Sequence, residues 1–150
     1  MINESKGNMY PWITHTWNAI KGVCPHICSY CYMKRFPQKP VRFDKRELTV
    51  PLGKDKFIFV GSSCDMFADT IREQWILDTI NHCMKFDNSY LFQSKNPERM
   101  GKFRLPEKAV LCTTIETNRW YPEIMGNSPP PEKRTEGMRS TLRDTYVTIE

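Results

Sequence analysis

Three cysteines, Cys24, Cys28 and Cys31, fall within residues 22–32, which read GVCPHICSYCY. Three thiols within eight residues can reach one inorganic centre. Four cysteines around an iron–sulfur cube occupy every iron and make an electron carrier. Three leave one iron open to an outside ligand, the distinction that also separates closed structural zinc sites from open catalytic ones. The other cysteines, Cys64, Cys83 and Cys112, are scattered, and small buried side chains are the expectation for them.

Composition sets the context for these thiols. The chain has 150 residues, a hydrophobic fraction of 39% and a net charge of +5, enough for one domain spanning 1–150 with its own core. No run of eighteen apolar residues occurs, and the start, MINESKGNMYPW, has no apolar h-region. A soluble, cytoplasmic protein without a membrane partner is therefore expected. In a reducing compartment a tight cysteine cluster reads as metal or redox chemistry rather than disulfides. The charge is concentrated: between Lys34 and Lys56 stand eight basic residues against three acidic ones. Such a segment attracts phosphate or nucleic acid, or is an ordinary solvated loop.

The elements that must position the thiols follow from patterning. Residues 1–11 read as a loose arm. Strands are expected at Trp12–Ile20, Lys56–Gly61, Ser89–Gln93, Ala109–Ile115 and Tyr146–Ile149, with a short one around Glu47–Val50. A helix is expected over residues 70–85, with Ile71, Trp75, Ile76, Ile80, Cys83 and Met84 on one face and Thr70 or Asp69 as cap. After Cys31, YMKRF starts a helix that Pro37 and Pro40 interrupt. Pro97 suits a first helical turn, 126–131 is a loop, and Glu132–Leu142 is helix-competent. Strands alternating with crossovers give an α/β fold with a parallel sheet of about five strands. Polar clusters follow the strands (SSCD, SKN, ETN), at the carboxyl ends where such folds bind ligands. The cysteine loop follows the first strand and lies at the same end. A full βα barrel needs about 200 residues or more, so a partial barrel or a truncated one is expected.

The spacing C-x3-C-x2-C with Tyr30 before the third cysteine resembles the radical S-adenosylmethionine (SAM) enzymes, whose motif is CxxxCxφC with φ aromatic. Further stretches resemble the spore photoproduct lyase branch and, more closely, an uncharacterised phage-associated family. These are Thr16–Trp17–Asn18, Gly61–Ser62–Ser63–Cys64–Asp65–Met66–Phe67, Lys95–Asn96–Pro97–Glu98–Arg99 and Glu116–Thr117–Asn118. The resemblance implies a partial radical-SAM-type βα barrel, with Cys24, Cys28 and Cys31 holding a [4Fe–4S] cluster. SAM would bind the fourth iron, and an external electron donor would reduce the cluster so that SAM is cleaved to a 5′-deoxyadenosyl radical. Tyr30 would pack near the adenine, and Ser62, Ser63 and Asp65 would bind the SAM amino group. Lys95 would pair with its carboxylate, and Thr114, Glu116 and Asn118 would reach ribose hydroxyls or the methionyl amino group. His26 would hydrogen-bond a cluster sulfide or face solvent.

Plainer roles stand beside these: a helix cap for the 62–65 loop, a solvated Lys95, core packing for Tyr30. The competing function is a nucleic-acid-binding module with a structural metal. Zinc would need a fourth ligand from His26, Cys64, Cys83 or Cys112, and His26, between Cys24 and Cys28, is awkwardly placed. An inactive truncated relative is the third reading. Nucleic acid is the substrate class the basic segment suggests, while oligomeric state has no signal.

Overall fold

The apolar runs become strands in a computed structural model that describes residues 1–7 and 10–149. Its strands are β1 (Asn3–Glu4), β2 (His15–Trp17), β3 (Ile20–Lys21), β4 (Arg42–Phe43), β5 (Phe57–Val60), β6 (Ser89–Gln93), β7 (Ala109–Ile115) and β8 (Thr145–Ile149). Its α-helices are α1 (Glu73–Cys83), α2 (Pro97–Met100), α3 (Pro122–Met125) and α4 (Pro131–Arg139). Six strands form one sheet in the order β1-β2-β5-β6-β7-β8. The five from β2 to β8 in this sheet pair in parallel, and β1 adds antiparallel to β2. The fold is α/β with a mostly parallel sheet, open among the described residues, with β1 and β8 at opposite edges.

Both sheet faces are apolar at their centre, which is why β5, β6 and β7 read as continuous hydrophobic runs. Ile58, Val60, Tyr90, Phe92 and Leu111 pack with Ile76, Ile80 and Cys83 of α1. Phe59, Leu91 and Cys112 lie on the other face, covered by Ile13 and the half-buried Tyr10. Residues 10–13 thus dock on the sheet, and Asn3 and Glu4 pair with Thr16 and His15. The expectation of a loose arm over 1–11 is corrected there; its Asn8 and Met9 lie outside the described residues, as does Glu150.

Other departures have local causes. The run Trp12–Ile20 is not one strand, because the chain leaves the sheet after Trp17 and Ile20–Lys21 pairs instead with Arg42–Phe43. Around Glu47 there is no strand but a 3-10 turn, Lys45–Thr49, begun by the Asp44 side chain accepting from the Arg46 amide. Glu47 is buried because it accepts from the Trp17 indole at 3.1 Å and from Lys21 Nζ at 2.6 Å. Helix α1 starts at Glu73 without a side-chain cap. Asp69 instead accepts from Asn96, and Met84 is exposed. After Cys31 a 3-10 turn, Tyr32–Arg35, forms as YMKRF suggests. Helix α3 was not anticipated. No helix among the described residues is long and apolar enough to cross a membrane.

Candidate functional site

The cysteine loop turns on two unusual backbone positions. Ile27, between Cys24 and Cys28, has φ +56°, a left-handed conformation that strains a β-branched residue by about 1–3 kcal/mol. Opposite it, Gly126 has φ +61° and ψ −134°, a region only glycine occupies comfortably. A Cβ there would collide with the His26 carbonyl oxygen and lie 3.0 Å from the Ile27 carbonyl carbon. The 121–128 segment is therefore pressed directly on the loop. Ser29 N donates to the Ile124 carbonyl at 2.8 Å, Asn127 N to the His26 carbonyl at 2.7 Å, and Asn127 Nδ2 to the Pro25 carbonyl at 3.1 Å.

Cys28 is buried, and its Sγ donates to the Met125 carbonyl at 3.3 Å. Cys24 and Cys31 are half-buried. Burial, partly offset by Lys95, raises the Cys28 pKa. The neighbouring Cys64 thiol lowers the Cys24 pKa, against burial and the Asp65 carboxylate. The same contact, with burial, raises Cys64. Cys64, Cys83 and Cys112 are all buried, as their isolation in the sequence suggests. Among the described residues, no three or more His, Cys, Asp or Glu side chains stand close enough to hold a metal ion.

Residues after β5, β6 and β7 converge on this loop. Asp65 Oδ2 accepts from His26 Nε2 at 2.8 Å, Ser94 Oγ at 3.0 Å and the Lys95 amide at 2.8 Å, while its Oδ1 accepts from the Phe67 amide at 2.9 Å. Burial opposes charge on both His26 and Asp65, but their contact prevails: the carboxylate raises the His26 pKa, and the imidazolium with two amides lowers that of Asp65. His26 is thus a buried ion-pair partner that ties the cysteine loop to β5 and β6. Asp65 spends its acceptors on fixing the loop.

A second charged group lies beside it. Lys95 Nζ sits 2.7 Å from Glu116 Oε1 and 4.3 Å from the centre of the Tyr30 ring. The Tyr30 hydroxyl donates to Glu116 and accepts from Lys95. Glu116 Oε2 receives Arg134 Nη1 at 2.8 Å. Burial alone would raise the Glu116 pKa, yet Lys95, Tyr30 and Arg134 together hold it at about 2. Arg134 is completely buried. Its guanidinium also reaches the Pro129 carbonyl at 2.7 Å, the Thr114 carbonyl at 2.9 Å and Ser128 Oγ at 2.8 Å.

The remaining expected residues divide. Ser62 and Ser63 are held by Asn18, through Nδ2 to Ser62 Oγ at 3.2 Å and through Oδ1 from the Ser63 amide at 3.2 Å. Tyr32 donates to the Ser62 carbonyl at 2.9 Å. Thr114 Oγ1 lies between Gln93 Nε2 at 3.0 Å and Thr148 Oγ1 at 3.1 Å. Asn118 is exposed and is bonded only to its neighbour Thr117 among the described residues. The KNPER stretch has a structural logic: Asn96 caps α2, Pro97 fills its first turn, and Arg99 ties down the Ala68 and Ile71 carbonyls. Arg134 was missed in the sequence. Its signal was the spacing of Pro131, Arg134, Gly137 and Met138, the buried stripe of an otherwise polar helix.

No family model, no curated protein and no solved structure matches the chain.

Proposed function

We infer that this chain is a radical SAM protein with a partial βα-barrel core. Cys24, Cys28 and Cys31 would hold a [4Fe–4S] cluster, and SAM would occupy the open iron. The observation that carries the reading is the seat of the three-thiol loop: it is pinned at the carboxyl ends of parallel strands and faces charged residues from successive strands. The donor set fits, since all three side chains are thiols on one loop and Cys28 spends its proton on a backbone carbonyl that ionisation would release. Loading requires the thiols to draw closer than they stand.

A cluster held by Cys24, Cys28 and Cys31 and reduced by an external donor would supply the electron for reductive cleavage of SAM. The protein's own contribution is binding, orientation and exclusion of water. Lys95 and Glu116 neutralise each other at 2.7 Å. An amino-acid zwitterion can replace both partners, its carboxylate meeting Lys95 and its ammonium Glu116. Arg134 keeps Glu116 ionised and aimed during that exchange. Tyr30, 39% exposed above this pair, offers an aromatic face to a purine.

Anaerobic reconstitution tests the reading. The expected product is a brown protein with about four irons per chain that releases 5′-deoxyadenosine from SAM on reduction. A colourless protein with one tightly held zinc overturns it. A cluster without SAM cleavage indicates an inactive relative. A second reading is a structural metal held by four thiolates, for which Cys64 would supply the fourth ligand. Cys64→Ser separates the two, because the three-thiol cluster survives it and the four-thiolate site does not.

A further inference from the structure

The segments that follow and support the cysteine loop carry exposed aromatic rings and cations. Phe36 is 57% exposed, Trp120 55% and Tyr32 51%. Exposed rings elsewhere pack on one another: Trp12 stacks on Tyr10 at 5.4 Å and meets Tyr146 at 5.1 Å. Among the described residues Phe36 and Trp120 have no such ring neighbour. Single exposed rings are ordinary, but several gathered beside one site mark a binding surface.

The rings flank the cysteine loop. The segment with Tyr32 and Phe36 follows Cys31 and folds back so that Val23 N donates to the Lys39 carbonyl at 2.9 Å. The segment with Trp120 leads into α3, which reaches the loop through Ile124 and Gly126. Lys34 and Arg35 lie between the first two rings in sequence, and Arg119 adjoins the third; all three are exposed and in no ion pair among the described residues. Glu123 is the exposed carboxylate on this rim.

We propose that this rim binds a single-stranded nucleic acid, with Tyr32, Phe36 and Trp120 as stacking platforms and Lys34, Arg35 and Arg119 on its phosphates. This rests on the function inferred above for the meaning of the site, since it names the substrate class delivered there, but the binding itself needs only the rim. Alternating rings and cations suit a flexible strand, whose bases turn outward to stack while its backbone follows the positive charge. A duplex keeps its bases stacked on each other and leaves the rings unused. The carboxyl end of the sheet would receive a base presented from the rim.

Fluorescence anisotropy with a labelled oligothymidylate of about sixteen nucleotides tests the proposal on the full chain, before and after cluster reconstitution. Binding is expected to weaken with salt, with a log–log slope of roughly −2 for three cations at about −0.7 each. Phe36→Ala and Trp120→Ala each weaken it between about five- and a hundredfold, and Phe36→Tyr and Trp120→Tyr restore it. Lys34→Ala with Arg35→Ala flattens the slope by about 1.4. Lys108→Ala, at the opposite end of the strands, changes nothing. A ribo-oligomer that binds as well or better also supports the proposal. No binding at low salt, preference for a hairpin duplex, or indifference to both ring substitutions overturns it. Cluster assembly that fails while strand binding persists removes the radical SAM reading alone; the reverse removes this one.

Discussion

Arg134 and Glu116 show how much of the site depends on two side chains 18 positions apart. Arg134 is buried among acceptors that include Glu116 and three groups of the 114–129 region. Arg134→Met should lower unfolding stability by roughly 3–5 kcal/mol, because it strands the partners of a buried charge. Arg134→Lys should recover little, since an ammonium cannot span the same fork of acceptors. Urea unfolding of the two variants measures this. Glu116 carries the pH dependence. Its folded pKa of about 2 lies below the ordinary value of 4.5, so its contribution is complete above that ordinary value and disappears as pH falls toward the folded one. Glu116→Gln should be less stable than the parent at neutral pH, and the gap should close between about pH 4.5 and 2. A gap constant across that window would show that the carboxylate is not held ionised. The crowding of Cys24, Cys28 and Cys31 on one loop was legible because it lies in local spacing. Arg134 was not, because a single arginine in a polar helix looks solvated until the fold supplies its acceptors.

Loops, more than helices, assemble the site at the scale of elements. The 121–128 segment supports the cysteine loop through backbone hydrogen bonds and through Gly126, which has no room for a side chain. Gly126→Ala should displace that segment, breaking the Asn127–His26 contact and releasing the Cys28 thiol from the Met125 carbonyl. The expected outcome is a lower melting temperature together with faster alkylation of Cys28 than in the parent, read by mass spectrometry. Unchanged alkylation would mean that the segment does not cover the loop. Sequence patterning found β5, β6, β7 and α1 because apolar period and length mark them. It missed α3 and the turn at Lys45–Thr49, which are short and set by the Asp44 cap and by tertiary contacts.

Across the whole molecule, the parallel α/β sheet and the carboxyl-end convergence could be read from the alternation of strands and polar loops. The docking of residues 10–13 on the second face could not, since it rests on Tyr10 meeting Phe59 and donating to Gln93 across 83 positions. Burial is uneven across the sheet. Tyr90, Leu91 and Phe92 of β6 are fully buried, whereas Tyr146, Val147 and Ile149 of the edge strand β8 are exposed. Native-state amide exchange should therefore be slowest in β6 and β7 and markedly faster in β8. Equal protection in β8 and β6 would mean that the edge is covered in solution.

The parallel strands also pair in the order in which they are synthesised, each adding beside the one before it. The cysteines leave the ribosome early, but Gly126 and Arg134, which close over them and fix the neighbouring charges, come about a hundred residues later. Since chains emerge at about 5–20 residues per second and a domain folds as a unit, the thiols pass through an interval of several seconds in which they are not yet covered. In that interval the thiols stand open to solvent in a way the docked 121–128 segment later prevents. The arrival of residues 121–134 then acts as the closing step, so how long the thiols stand open is set by the rate of translation.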